Sequence, residues 1–186
     1  MTNKNLTEKA LKKRTLHSGK AVNFRVDTVE LPDGKKATRE FMDHPGAVAV
    51  LPVLEDGSVI LVRQYRHPVG EITLEVPAGK LLRPGDDPAR RARAELREET
   101  GYAADSMRRI MSFWPTPAFS NEVLHVFLAR GLRPGPPAPD EDEFIRTVRM
   151  PFGRAWELFR KGKIKDAKTI LALQAFRISG AGRRNR

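Results

Sequence analysis

The sequence predicts an α/β/α sandwich around a mixed sheet, an α+β arrangement with an N-terminal antiparallel strand unit. Three observations carry that prediction. Strand and helix signals are mixed along the chain with mostly hairpin connections, which argues against a doubly wound sheet. A helix with a sharp start and stop occupies residues 88–100, and two further helical patterns close the chain. At 186 residues the chain can bury about 70% of its unfolded surface, enough for one core without staples. The organisation expected is a tail and dimerising hairpin over residues 1–44, a main domain over 45–179, and a basic tail over 180–186.

Residues 6–20 read as a short segment ending at Ser18 and Gly19. From Ala21 apolar and polar residues alternate through Val22, Phe24 and Val26 as far as Leu31, the period of a half-buried strand, and Pro32-Asp33-Gly34 reads as a tight turn. A returning strand over Lys36 to Met42 completes a hairpin whose edges need covering. The apolar runs 47–54 and 59–62, joined by Glu55-Asp56-Gly57, read as a second, buried hairpin that runs on into the polar Gln64-Tyr65-Arg66. A polar end on a buried strand is where a site would open. Ile72 to Val76 is a further strand, and strands follow at 107–113, 123–129 and 144–150. The proline-rich segment 133–139 cannot be regular structure and reads as a surface loop leading into four acids, Asp140 to Glu143. Helices over 153–161 and 166–178 finish the chain.

Composition narrows the function classes. There is no cysteine, which excludes disulfides, thiol catalysis and Cys-ligated metal sites and fits a reducing compartment. No apolar run is long enough to span a membrane and no signal-type segment opens the chain, so a cytoplasmic protein is expected. The net charge of +11 invites a nucleic-acid reading. The basic runs lie at Lys12-Lys13-Arg14, at 183–186, and at Arg90, Arg91 and Arg93 on the acidic helix, with no interleaved aromatics to stack bases. Nucleic acid is therefore not the partner expected. His17, His44, His67 and His125 show no metal-ligand spacing and read as structural.

The central helix is where chemistry concentrates. Asp87 can cap its first turn, Pro88 fits the first helical position and Gly101 is a natural stop. Glu95, Glu98 and Glu99 stand three and four residues apart and so share a face. Taken alone, such a pattern is a solvated helix face; its alternative is a site for a hard, oxygen-seeking divalent cation.

The residues around the helix resemble a known family. Gly79 followed by Glu95-Leu96-Arg97-Glu98-Glu99-Thr100-Gly101-Tyr102 resembles the Nudix box, and the similarity runs over about residues 20–176. Gln64-Tyr65-Arg66, Glu75-Val76-Pro77-Ala78-Gly79, Pro117 at fifteen residues beyond Tyr102, and the stretch 162–170 resemble its ADP-ribose pyrophosphatase branch. Two departures stand out. The box arginine, which in the family holds the helix carboxylates through a salt bridge, falls on Ala94, and Arg93 points roughly 100° away around the helix. The first box glutamate falls on Asp86, with one extra residue near Leu82-Arg83.

The resemblance implies metal-dependent hydrolysis of ADP-ribose to AMP and ribose 5-phosphate. Mg²⁺ or Mn²⁺ would be held by Glu95, Glu98 and Glu99 with the carbonyl of Ala78, Glu98 counting also among the catalytic residues. The general base would come from the acidic run, Glu141 as first choice and Glu143 as runner-up, with a solvated acidic turn as the alternative. Arg39 and Arg66 would meet phosphates, because a guanidinium offers them a fork of donors; for Arg39 an ion pair with Glu40 or Asp43 is an equal alternative. Phe24 would stack on adenine unless it is core, and Pro117 belongs to the substrate loop. The partner implied is a second copy, a homodimer through the N-terminal strands. Alternatives are hydrolysis of another nucleoside diphosphate sugar such as GDP-mannose, and a catalytically impaired module that binds a nucleotide or nucleic acid.

Overall fold

The N-terminal stretch folds into more than the expected hairpin. In the computed structural model, which describes residues 6–138 and 144–180, it contains four strands: β1 (Lys9–Lys12), β2 (Thr15–Ser18), β3 (Asn23–Glu30) and β4 (Lys36–Asp43). All pairings are antiparallel: β4 runs along the whole of β3 from Asn23↔Asp43 to Glu30↔Lys36, while β1 and β2 pair with different stretches of β3. Gly34, at φ 83°, supplies the left-handed turn between β3 and β4. Residues 114–122 cluster with this unit, with Met42 N–H donating to the Phe119 carbonyl at 2.8 Å.

The second unit comprises residues 46–113 and 123 onward. Its elements are β5 (Ala47–Pro52), β6 (Ser58–Arg66), β7 (Glu71–Glu75), β8 (Ala78–Lys80), α1 (Pro88–Thr100), β9 (Ala103–Phe113), β10 (Leu124–Arg133), β11 (Arg146–Pro151), α2 (Phe152–Arg160) and α3 (Ala167–Ile178). The mixed sheet runs β8-β5-β10-β9, with β5 and β10 parallel and the other pairs antiparallel. A second sheet, β11-β6-β7, is wholly antiparallel.

The buried hairpin read into residues 47–62 does not form as a ladder. β5 belongs to the mixed sheet and β6 to the antiparallel one, and a single bridge, Val53↔Val59, survives beside their turn. The reason lies in the core: Ala49, Leu51 and Val53 face Val59 and Leu61 across one apolar cluster, so the strands splay to fill the space between sheets. Phe152, Ile164, Leu173 and Phe176 from the region of α2 and α3 complete that cluster. On the opposite face of the mixed sheet Val48, Val50, Phe127 and Ala129 pack against Ala92 and Leu96 of α1. This is the layered arrangement expected, built on two sheets where one was foreseen. Among the described residues no helix is long and apolar enough to cross a membrane.

Candidate active site

α1 begins and ends where its signals say. The Asp87 carboxylate accepts from the Ala89 amide at 2.9 Å, Pro88 takes the first position, and Gly101 at φ 76° closes the helix by donating to the Arg97 carbonyl at 2.9 Å. Ala92 and Leu96 fix the helix on the sheet, and this rotation turns Glu95 and Glu99 inward rather than to solvent. Each is only 5% exposed, whereas Glu98 is half-exposed. A solvated helix face is therefore not what the three glutamates form.

The glutamates are engaged on both sides. The Ala78 amide donates to Glu99 Oε2 at 3.2 Å. The Glu95 carboxylate lies directly on Gly79, where an added Cβ would stand 1.7 Å from Oε1; no residue with a side chain fits there without displacing it. Arg91 pairs with Glu95, donates from Nη1 to Glu98 Oε2 at 3.2 Å, and donates from Nε to the Lys80 carbonyl at 3.2 Å. Sequence reasoning missed Arg91, looking instead to Ala94 and Arg93. Arg93 is indeed turned away, donating to the Ala104 carbonyl of β9 at 2.9 Å. The signal was available: Arg91 stands four residues from Glu95 and seven from Glu98, both on its own face.

Arg66, at the polar end of β6, reaches the same site. Its pKa is raised by hydrogen bonds to Glu75, more than offsetting burial, and further by the charges of Glu75, Glu99 and Asp166. Its Nε and Nη2 grip Glu75 bidentately at 2.9 and 2.8 Å. Glu75, 2% exposed, also accepts from the Thr73 hydroxyl at 2.5 Å and pairs with Lys168 of α3, which donates to Asp166 at 2.8 Å. Burial alone would push the Glu75 pKa up. The Arg66 bonds, the Lys168 charge and bond, and the Thr73 hydroxyl outweigh it and bring the pKa from 4.5 to about 2. Glu75 and Lys168 had no assigned role in the sequence reading. The clue was an acid at the end of a strand leading directly into the apolar Val76, since a carboxylate carried into the core requires partners.

The other expected residues divide in two. Phe24, Arg39 and Pro117 belong to the first unit. Arg39 pairs there with Glu8, its Nε donating at 2.9 Å, and not with Glu40 or Asp43; the partner precedes β1, a strand the sequence did not reveal. Phe24 is half-buried on β3 opposite Met42. Glu141 and Glu143 lie outside the described residues. The described residues on either side of that run are tied to the end of α1. The Ala138 amide donates to the Glu98 carbonyl at 2.9 Å, Thr147 Oγ1 donates to the Glu99 carbonyl at 3.4 Å, and Gly135 packs so closely on Gly101 that a Cβ there would stand 2.2 Å from its carbonyl.

Among the described residues no three acidic or imidazole side chains are already gathered as a cation cage. The donor set nonetheless suits Mg²⁺ or Mn²⁺: three carboxylates on one helix face, all oxygen donors, with Glu98 half-exposed.

Comparison with known proteins agrees with this geometry. The NUDIX domain family model matches residues 43–173. The chain is 41% identical over 180 residues to an ADP-ribose pyrophosphatase of Bacillus subtilis (strain 168), covering 96% of this chain and 97% of the relative. It is 39% identical over 176 residues to a methanol dehydrogenase activator of Bacillus methanolicus, covering 94% and 95%. A solved structure described as an ADP compounds hydrolase superposes with a TM-score of 0.81 at 22% identity, covering 97% of this chain and 98% of that one, a likeness of fold.

Proposed function

The chain belongs to the NUDIX domain family, and on that premise we propose that it hydrolyses the pyrophosphate bond of ADP-ribose, releasing AMP and ribose 5-phosphate. The observation that carries this reading is the inward face of α1, with Glu95 and Glu99 each 5% exposed and Gly79 stripped of a side chain beneath Glu95. A pyrophosphate is kinetically protected by its own negative charge. A divalent cation, Mg²⁺ or Mn²⁺, held by Glu95, Glu98 and Glu99 with the Ala78 carbonyl, supplies the charge cancellation that the reaction needs.

The chain's own residues do the rest. Arg66, fixed by Glu75, presents its remaining N–H groups to a phosphate oxygen; Arg39 is assigned the same class of contact, and Phe24 and Pro117 the nucleoside side. Glu141, with Glu143 as runner-up, takes the proton of the attacking water. Support comes from Ala138 and Thr147, which tether both flanks of that run to the carbonyls of Glu98 and Glu99. The working unit is a homodimer through the N-terminal strands. In its favour, Leu11 and Leu16 on β1 and β2 are 41% and 52% exposed, and β4 is an edge strand. A cytoplasmic setting accords with the absence of cysteine.

The deciding experiment is a metal-dependent assay on a panel of nucleoside diphosphate sugars, including ADP-ribose and GDP-mannose, with AMP or GMP release followed by chromatography. Preferred turnover of ADP-ribose supports the proposal. Preference for another sugar nucleotide moves the substrate within the class, and no turnover with either metal leaves a binding module.

A further inference from the structure

We propose that Arg91 is the positioning residue of the candidate catalytic helix, setting Glu95 and Glu98 for the cation; this rests on the reading of α1 as a metal-binding helix. At roughly 100° per residue, Glu95 lies about 40° to one side of Arg91 around the helix axis and Glu98 about 20° to the other, so one guanidinium straddles both. All three of its nitrogens are engaged, on Glu95, on Glu98 Oε2 at 3.2 Å and on the Lys80 carbonyl at 3.2 Å. The last bond locks the helix face to β8, the strand that carries Gly79 beneath Glu95.

Helix stability does not account for this arrangement. An arginine four residues before a glutamate is the weaker of the two orders for such a pair, because it sets charge against the helix dipole. What the arrangement achieves is to cancel the repulsion between two carboxylates and to tie them to β8, the strand of Ala78 and Gly79. Position 94 does not contribute a cation: it is Ala94, and the space beside it is a cavity lined also by Leu82, Asp86, Asp87 and Arg90. An arginine placed at 94 would have room, and would stand four residues before Glu98 and next to Glu95.

Three variants test the proposal: Arg91→Ala, Arg91→Lys, and Arg91→Ala combined with Ala94→Arg. Each is assayed with ADP-ribose at saturating Mn²⁺ and melted with EDTA and with Mn²⁺. Arg91→Ala is expected to lose about 100-fold in kcat with KM changed less than about threefold, the signature of misplaced groups rather than lost substrate contacts. Arg91→Lys, with a point charge in place of a fork, falls between. Adding Ala94→Arg is expected to recover at least about tenfold of the lost kcat. In melting, Arg91→Ala is expected to lower Tm in EDTA and to recover most of the loss in Mn²⁺, because the cation then neutralises the repulsion between the carboxylates. A kcat within about threefold of wild type overturns the proposal. So does an equal loss of Tm in EDTA and Mn²⁺, which marks a purely structural residue, or a double variant that melts as wild type in Mn²⁺ yet regains no activity. If the wild-type chain turns over no sugar nucleotide, the functional reading fails by itself, and the EDTA-specific melting loss still decides the role of Arg91.

Discussion

Two buried carboxylate clusters lie in the second unit, and they are built to opposite ends. Around Glu75, on β7, the partners close on themselves: Arg66 grips it with two bonds, Lys168 and Thr73 add theirs, and Asp166 balances Lys168. On α1, three carboxylates crowd one helix face and two of them share Arg91. Glu75, Glu95 and Glu99 are buried to the same degree, at 2%, 5% and 5% exposed, so burial does not distinguish structure from site. Stoichiometry and access do. The Glu75 cluster pairs each acid with a base and presents one side chain, Arg66, outward. The α1 cluster gathers like charges around a glycine and leaves Glu98 half-exposed.

The comparison predicts that the same acid-to-amide change has different consequences at the two sites. Glu99→Gln is expected to lower kcat about 1,000-fold or more while leaving Tm unchanged or raised, read by AMP release and by thermal melting. Glu75→Gln is expected to act first on stability. It leaves the mostly buried Lys168 and the inner side of Arg66 beside a neutral group and costs on the order of 3 kcal/mol, measured by urea unfolding at pH 7. If Glu75→Gln leaves stability unchanged, the closed network is not the structural element described here.

Acid titration sharpens the same contrast. The folded pKa of Glu75 is depressed from 4.5 to about 2, so its stabilisation is fully present above about pH 4.5 and is lost as pH falls toward 2. Urea unfolding at pH 5 and pH 3 is expected to show the wild type losing about 2 kcal/mol more than Glu75→Gln over that interval. A smaller effect is expected in the first unit. Arg39→Ala removes an ion pair to Glu8 in which both side chains are partly exposed, and the urea unfolding midpoint is expected to change little. A loss of activity in that variant without loss of stability would mark Arg39 as a substrate contact.

The helices and most strands were legible in the sequence because their signals are local. Asp87-Pro88 and Gly101 bound α1 to the residue, and apolar spacing located α2 and α3 within a residue or so. Strand partners were not legible. The runs at 47–54 and 59–62 satisfy every local rule for a hairpin, yet β5 pairs with β8 and β10 because filling the space between sheets outweighs a two-strand ladder. β1 and β2 were missed for a related reason: with all eight of their residues exposed, they carry no burial pattern to read. On α1, the shared face of the three glutamates was legible from their spacing. Arg91 and Glu75 were not, because their roles depend on which side chains converge from β8, β6 and α3, and no single stretch of sequence records that.

The claim that the α1 carboxylates form the cation site is tested most directly by titrating the protein with Mn²⁺ and following free Mn²⁺ by electron paramagnetic resonance, wild type against Glu99→Gln. Saturable binding to the wild type is expected, with affinity at least about tenfold weaker in the variant and both proteins folded. Equal affinity in the two proteins would place the cation elsewhere and contradict it.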